Sequence, residues 1–165
     1  GKVCRGGDLM IFATIGTHNI GFERLVVKMD EIAGWIDEEV VIQIGSTRYT
    51  PKHAGYFDFT DEGGIFEHLK RARVVVTHAG AGSVLDALSL AKPIILFPRL
   101  KRYGECFDDQ QLELTRVLSE NGRAIAVYDA EDLESAIRSV GDAAPAGQDK
   151  SRDLVTFLKG QFAET

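Results

Sequence analysis

A glycine-rich turn, Gly80-Ala81-Gly82-Ser83, follows two residues after the predicted strand that ends at Thr77. Glycine has no Cβ, so the backbone at Gly80 and Gly82 can approach a ligand closely, and Ser83 can cap the helix predicted after it. The N–H groups that begin a helix lack intrahelical acceptors and attract anions. The turn therefore predicts an anion site that suits a diphosphate. A tight strand-to-helix connection in any α/β domain also favours small residues, so a purely structural interpretation stays open.

Further polar groups lie along the chain after this turn. Asp86 follows Ser83 by three residues, nearly one helical turn, and a carboxylate there can hold the hydroxyls of a ribose. Gln110 and Gln111 open a later predicted helix, where their amides can bind hydroxyls or the edge of a base. The structural alternatives are a solvated aspartate near a helix start and a helix capped by the preceding aspartate, Asp109.

Two histidines are candidates for chemistry. His78 follows the predicted strand before the glycine-rich turn, and His18 lies in the first predicted strand-to-helix loop. Each can carry a proton or contact a phosphate, and each can equally be a packed or solvated residue. Cys4 and Cys106 are far apart, and no set of His, Cys, Asp and Glu has metal-ligand spacing, so the sequence predicts no metal site.

Several protein classes are disfavoured by motif and charge. The chain has no Gly-x-Gly-x-x-Gly after its first strand, no phosphate-binding Gly-Lys-Ser or Gly-Lys-Thr, and no Gly-x-Ser-x-Gly, which argues against dehydrogenases, NTPases and serine hydrolases. Its 165 residues carry a formal charge of −6 with scattered Lys and Arg, which argues against general binding of nucleic acid. No apolar run reaches the length of about 18 residues that a membrane span needs.

The elements that must position these groups alternate along the chain. Short apolar runs predict strands at 10–15, 40–44, 56–59, 74–77, 94–97 and 124–128. Three- and four-residue spacing predicts helices at 22–35, 64–71, 84–90 and 110–120. Strands that are apolar on both faces are typical of a parallel sheet covered by helices on each side, so the predicted fold class is α/β, doubly wound. Ligands of such sheets bind beyond the carboxyl ends of the strands.

The chain divides into three predicted parts. Residues 1–9 are glycine-rich and polar, and we interpret them as a leader or an artificial remnant before an original start at Met10. Residues 10–140 make up the predicted α/β domain. Residues 141–148 are linker-like, and apolar residues between Leu154 and Phe162 predict a final amphipathic helix that packs on this domain or on another chain.

Three blocks, 12–22, 77–93 and 107–112, together resemble a known family. They are similar to the C-terminal, nucleotide-sugar-binding half of glycosyltransferases of the family 28 type, related to the bacterial lipid-linked peptidoglycan N-acetylglucosaminyltransferase. The similarity extends from about Met10 to Asp129 and looks closest to stand-alone versions of that half. These are the catalytic subunits of two-chain UDP-sugar transferases, which act in dolichol-linked oligosaccharide synthesis or bacterial exopolysaccharide synthesis. The resemblance implies a Rossmann-like domain, one half of a glycosyltransferase B fold.

The resemblance also implies roles for individual residues. The donor diphosphate is expected at Gly80, Ala81, Gly82 and Ser83, the ribose at Asp86, and the nucleoside at Gln110 and Gln111. Gly16 and Thr17 are expected to complete the donor site, and His18 and His78 are the candidate catalytic residues. The sequence departs from the family at two of these positions, since relatives commonly have Glu in place of Asp86 and many stand-alone members have His in place of Gln110.

The implied activity is transfer of a sugar from a UDP-sugar to a lipid-linked acceptor with inversion, without a cofactor or a metal. Because the chain has room for one of the two domains, the resemblance implies a membrane-associated partner subunit that holds the acceptor. The protein would then be cytoplasmic and peripheral at the membrane, with a homodimer as a further option. The sugar stays open among N-acetylglucosamine, glucuronic acid and galactose. The alternative is a non-catalytic α/β module that binds another phosphorylated ligand or scaffolds a partner.

Overall fold

The structure is a computed structural model that describes residues 10–16, 20–59, 62–78, 80–105 and 110–140. The predicted leader at 1–9 and the predicted linker and helix at 141–165 lie outside these residues. Within the described part, no helix combines the length and the apolar character needed to cross a membrane.

Six parallel strands form one sheet in the order β3-β2-β1-β4-β5-β6. The strands are β1 (Met10–Thr14), β2 (Glu39–Gln43), β3 (Gly55–Phe57), β4 (Ala72–Thr77), β5 (Ile94–Leu96) and β6 (Ile125–Ala126). The helices are α1 (Glu23–Trp35), α2 (Glu62–Arg71), α3 (Ala81–Ser89), α4 (Gln110–Glu120) and α5 (Leu133–Val140). The α/β, doubly wound prediction is thus confirmed, including the short third strand.

Alternation along the strands separates two apolar layers. In β1, Ile11 and Ala13 belong to a core cluster shared with α1 and α5, while Met10 and Phe12 belong to a second cluster shared with α2, α3 and α4. Successive side chains of a strand point to opposite faces, so both faces of the sheet are buried under helices. All the residues predicted for the apolar face of α1 are buried, and they are Phe22, Leu25, Val26, Met29, Ile32, Ala33 and Ile36.

Helix α5 was absent from the sequence-based prediction. Its apolar residues Leu133, Ala136, Ile137 and Val140 recur at helical spacing and are all buried against the α1 side of the sheet. Asp129 begins the preceding 3₁₀ turn, and its side chain accepts a hydrogen bond from the Glu131 N–H. The helix is only eight residues long, so it is stabilised mainly by this packing rather than by its own propensity.

A buried carboxylate braces the connection from β2 to β3. Asp30 of α1 is only 1% exposed, and it accepts hydrogen bonds from the Tyr49 hydroxyl (2.6 Å) and from the backbone N–H groups of Lys52, His53 and Ala54 (2.8–3.0 Å). Burial alone would raise the pKa of Asp30, but these hydrogen bonds outweigh burial and hold the pKa below its ordinary value. Ionised Asp30 therefore stabilises the folded state.

Replacing Asp30 by Asn is expected to lower the free energy of unfolding at neutral pH by about 2 to 4 kcal/mol, because an amide NH₂ then faces backbone donors. Since the folded-state pKa is lowered, the stabilisation is complete above the unfolded-state pKa of about 3.9 and is lost as the pH falls through the folded-state value. Urea unfolding between pH 7 and pH 3 measures both effects. The matched control is Asp37→Asn, an exposed position just after α1. Equal stability of the two variants would contradict the assigned role of Asp30.

Candidate functional site

The strand order reverses between β1 and β4, which lie side by side in the middle of the sheet with Thr14 opposite Thr77. In a doubly wound sheet this reversal opens a crevice beyond the carboxyl ends of the two strands, and ligands bind there. The loop that begins with Ile15 and Gly16 leaves β1 at this point, and the turn that begins with His78 leaves β4. The structure therefore brings two of the predicted loops together at the switch point.

The His78 ring lies between two glycines at this crevice. A Cβ atom built on Gly16 would be 2.5 Å from Nε2 of His78, and one built on Gly80 would be 2.5 Å from both Nε2 and Cε1. Any side chain at either position would collide with the ring, and Gly16 also has a φ of +74° that favours glycine. The Nε2 edge of the His78 ring thus lies against Gly16 and Gly80, which begin the two loops at the crevice, and His78 as a whole is only 8% exposed.

Helix α3 begins next to this ring. Gly80 is its N-cap, in extended backbone conformation, and the Val84 N–H donates to the Gly80 carbonyl at 3.1 Å. The N–H groups of residues 81–83 precede that bond, so they have no acceptor within the helix. Ser83 was predicted to cap α3, and this is wrong: the helix begins three residues earlier because Gly80 adopts the cap conformation, and Ser83 contributes its N–H from inside the first turn.

Gly82 lies in the same turn and faces open space. A Cβ atom built on it would meet no atom within 4 Å, so nothing in the fold requires glycine there. Asp86 follows Gly82 by four residues on α3, which places the two residues on the same side of the helix. The helix start, Gly82 and partly buried Asp86 therefore share one face, as the predicted order of diphosphate and ribose contacts requires.

Gln111 of α4 reaches the ring of His78 from the other side. Its Oε1 accepts a hydrogen bond from the backbone N–H of Arg99 at 3.0 Å, and its Nε2 lies 3.2 Å from Nδ1 of His78. The amide that was expected to bind a nucleoside is thus engaged with residues of the domain itself. Three other predicted site groups, Thr17, His18 and the side chain of Gln110, lie outside the described part of the structure.

The profile of the glycosyltransferase family 28 C-terminal domain matches residues 10–161. The chain belongs to this family. This family 28 domain is 30% identical over 124 residues to the mouse (Mus musculus) UDP-N-acetylglucosamine transferase subunit ALG13, a match that covers 67% of the chain and 10% of the relative. The chain therefore spans about a tenth of the length of that relative.

Two solved glycosyltransferases have the same fold as the family 28 domain. The glycotransferase of kitacinnamycin matches with a TM-score of 0.68 at 19% identity, covering 97% of this chain and 42% of that one. SsfS6 from Streptomyces sp. SF2575, solved in complex with thymidine diphosphate, matches with a TM-score of 0.61 at 16% identity, covering 97% and 41%. The domain is thus one half of a glycosyltransferase B fold, which confirms the predicted architecture.

Sequence reasoning missed Arg99, a fully buried residue of the family 28 domain. Its guanidinium donates to the backbone carbonyls of Ile15, Ile20, Gly21 and Glu105 at 2.9–3.2 Å and lies 4.9 Å from the centre of the Phe22 ring. Arg99 therefore ties the loop after β1 to the loop after β5. In the sequence it stands beside Lys101 and Arg102, which are exposed, and no local pattern distinguishes it from them.

Arg24 of α1 also binds the loop after β5, from the side of the helix. Its guanidinium forms a two-point ion pair with Glu105 at 3.1 Å, donates to the Pro98 carbonyl at 3.1 Å and stacks on Phe97 at 4.2 Å. The Leu100 N–H also donates to Glu105 at 3.0 Å. The loop that carries Arg99 is therefore bound to α1 through Arg24, and its Arg99 N–H connects it to Gln111.

An open groove of about 750 Å³ lies beside this loop. It is lined by Leu100, Lys101, Arg102, Leu112 and Tyr128, so it combines apolar walls with two cationic side chains. None of these residues belongs to the predicted donor site, although Leu112 directly follows Gln111 on α4. Among the described residues, the groove therefore lies next to the predicted donor site, at the side of α4.

Proposed function

We propose that this domain binds the nucleoside diphosphate of a UDP-sugar and acts as the donor-binding half of an inverting glycosyltransferase. The observation that carries the proposal is the His78 ring held between Gly16 and Gly80 at the switch point, beside the start of α3. A ring N–H and several helix N–H groups at one crevice form a donor set that suits an anion. The thymidine diphosphate complex of SsfS6 supports a nucleoside diphosphate as the ligand class.

The name of a similar protein supports a choice of donor. The mouse relative is named as a UDP-N-acetylglucosamine transferase subunit, and we take UDP-N-acetylglucosamine as the donor to test first. We propose that Asp86 holds the ribose hydroxyls, and its position on the face of α3 that also carries Gly82 supports this role. Helix N–H groups can carry the charge of the diphosphate, so the proposed site has no metal and no separate cofactor.

The proposed reaction is a direct displacement at the anomeric carbon. A base takes the proton of the acceptor hydroxyl, the hydroxyl oxygen bonds to the anomeric carbon, and the bond from that carbon to the UDP oxygen breaks with inversion. Negative charge develops on the departing UDP, where the first N–H groups of α3 and the ring N–H of His78 stabilise it. His78 therefore acts on the leaving group, and the base is His18 or a residue of the partner.

A partner subunit completes the proposal. The mouse relative is named as a subunit, and this domain corresponds to 41–42% of each of the two solved glycosyltransferases, which supports pairing with a second domain. We propose that a membrane-associated partner holds a lipid-linked acceptor, so that this domain works at the cytoplasmic surface of a membrane. Sugar transfer to a lipid acceptor that requires both chains would support this assignment.

UDP at about 100 times its dissociation constant is expected to stabilise the domain by about 2.7 kcal/mol, which raises the melting temperature by roughly 5 to 10 °C. Asp86→Ala is expected to weaken UDP binding by about tenfold or more, because a charge-assisted hydrogen bond to ribose is lost. Thermal-shift titrations with UDP, GDP, dTDP, CMP and ADP test the base preference, and calorimetric titration with UDP gives the affinities of both proteins.

The control is Asp132→Ala, an exposed aspartate in the turn before α5. It loses the same carboxylate without facing the crevice, so its UDP affinity is expected to equal that of the wild type. The proposal fails if no nucleotide shifts the melting temperature, either for the domain alone or together with its partner. An equal rise of the melting temperature with all the nucleoside diphosphates would support the phosphate site but contradict the preference for uridine.

A further inference from the structure

Three groups form a chain of hydrogen bonds behind the crevice: the backbone N–H of Arg99, the side-chain amide of Gln111 and the ring of His78. The distances are 3.0 Å from the Arg99 nitrogen to Oε1 of Gln111 and 3.2 Å from Nε2 of Gln111 to Nδ1 of His78. This series of hydrogen bonds begins at a backbone N–H in the loop that the buried Arg99 side chain anchors. The position of the first donor is therefore determined by the fold rather than by a mobile side chain.

The first group decides the orientation of the second. A backbone N–H can only donate, so the Gln111 atom that faces Arg99 must be the acceptor, the carbonyl oxygen. The NH₂ group of Gln111 then faces Nδ1 of His78 and donates to it. A ring nitrogen that accepts a hydrogen bond carries no proton, so the proton of the neutral imidazole resides on Nε2. Nε2 is the ring nitrogen that lies against Gly16 and Gly80, the glycines of the two loops at the crevice.

We infer that Gln111 is a positioning residue that sets the tautomer of His78, so that Nε2–H is a donor at the crevice. In this role Gln111 acts through His78 and not by its own contact with the nucleoside. Gln111 sets this tautomer in the domain without any ligand. The further statement that Nε2–H donates to the diphosphate of the donor rests on the function proposed above.

The direct test is ¹⁵N NMR of the histidine rings in the unliganded domain, at a pH about two units above the ordinary histidine pKa of about 6.5. Wild-type His78 is expected with its proton on Nε2 and with Nδ1 bare. In Gln111→Glu, one carboxylate oxygen can still accept from the Arg99 N–H, while the other offers an acceptor to Nδ1. A proton is therefore expected on Nδ1 in this variant. A role limited to bracing Arg99 would leave the ring unchanged.

A second variant at the same position keeps the proposal testable if Gln111→Glu does not fold. Gln111→Met has a similar length but neither donates nor accepts, so the tautomer is expected to become mixed, with Nδ1–H detectable. A proton on Nδ1 in the wild type, or a bare Nδ1 in Gln111→Glu, would overturn the inference. UDP titrations of the same samples separate the two proposals: Gln111→Glu is expected to bind UDP at least about tenfold more weakly than the wild type. If the ring proton moves as expected and UDP binds to neither protein, the tautomer role holds and the proposed function fails.

Discussion

Arg99→Met is expected to cost about 3 to 5 kcal/mol of unfolding free energy, the largest loss among the substitutions considered for this domain. Methionine fills part of the volume, but the carbonyls of Ile15, Ile20, Gly21 and Glu105 lose their guanidinium donor inside the protein. The cost of burying a cation is recovered in the variant, which limits the effect. Four carbonyl groups without a donor outweigh that gain. Urea unfolding followed by circular dichroism measures the change.

The matched control is Arg102→Met, which changes an exposed arginine three residues later in the same loop. It is expected to change stability by no more than about 0.5 kcal/mol, as surface substitutions usually do. Arg99→Lys should fall between the two, because an ammonium group has fewer donors and lacks the planar geometry of guanidinium. If Arg99→Met were as stable as the control, Arg99 would not be the connection between the two loops.

Gly80→Ala is expected to weaken UDP binding roughly 30- to 150-fold, equivalent to about 2 to 3 kcal/mol, while the domain stays folded. The backbone of Gly80, with a φ of −76°, is one that alanine adopts without strain, so the effect is steric. The new Cβ would lie 2.5 Å from Nε2 and Cε1 of His78. The ring must rotate or shift away, and its Nε2 leaves the start of α3. Calorimetric titration with UDP measures the loss.

Gly55→Ala is the control for this variant. Gly55 begins β3, far along the sheet from the crevice, and a Cβ atom there would be 3.8 Å from its nearest neighbours, an ordinary contact. Its UDP affinity is expected to match that of the wild type. Wild-type affinity in Gly80→Ala would show that His78 takes no part in binding the nucleotide.

Much of the fold could be predicted because its signals are local. The strands of a doubly wound sheet are buried on both faces, so β1 and the part of β4 from Val74 onward are almost continuous apolar runs. Helix α1 shows helical spacing through Ile36. Helix α4 begins and ends at the residues predicted, Gln110 and Glu120. Helix α5 is shorter than α1 and α4, and its apolar pattern alone does not predict a helix. The helix forms because that pattern packs on a face of the sheet.

The candidate site was less predictable, because its geometry depends on segments far apart in the sequence. Serine is a common N-cap residue, but the N-cap of α3 is Gly80. The backbone conformation of Gly80 cannot be read from the sequence. The family resemblance implies that Gln111 binds the nucleoside, which stays a prediction, but the sequence could not show its hydrogen bonds to residues 12 and 33 positions away. Arginine is usually exposed, and the burial of Arg99 is explained only by the backbone carbonyl groups that surround its guanidinium in the fold.

The bonds of Arg99 also connect the site to the folding process. Its carbonyl partners at Ile15, Ile20 and Gly21 are 84, 79 and 78 residues away along the chain. Closing loops of that length costs conformational entropy before the contacts can form, and contacts of high sequence separation slow folding. The crevice therefore cannot assemble within a single β-α-β segment, and it exists only once both halves of the sheet have joined. Under the proposed function, nucleotide binding would consequently report on the completed sheet, and a chain that ends before β5 would not bind the nucleotide.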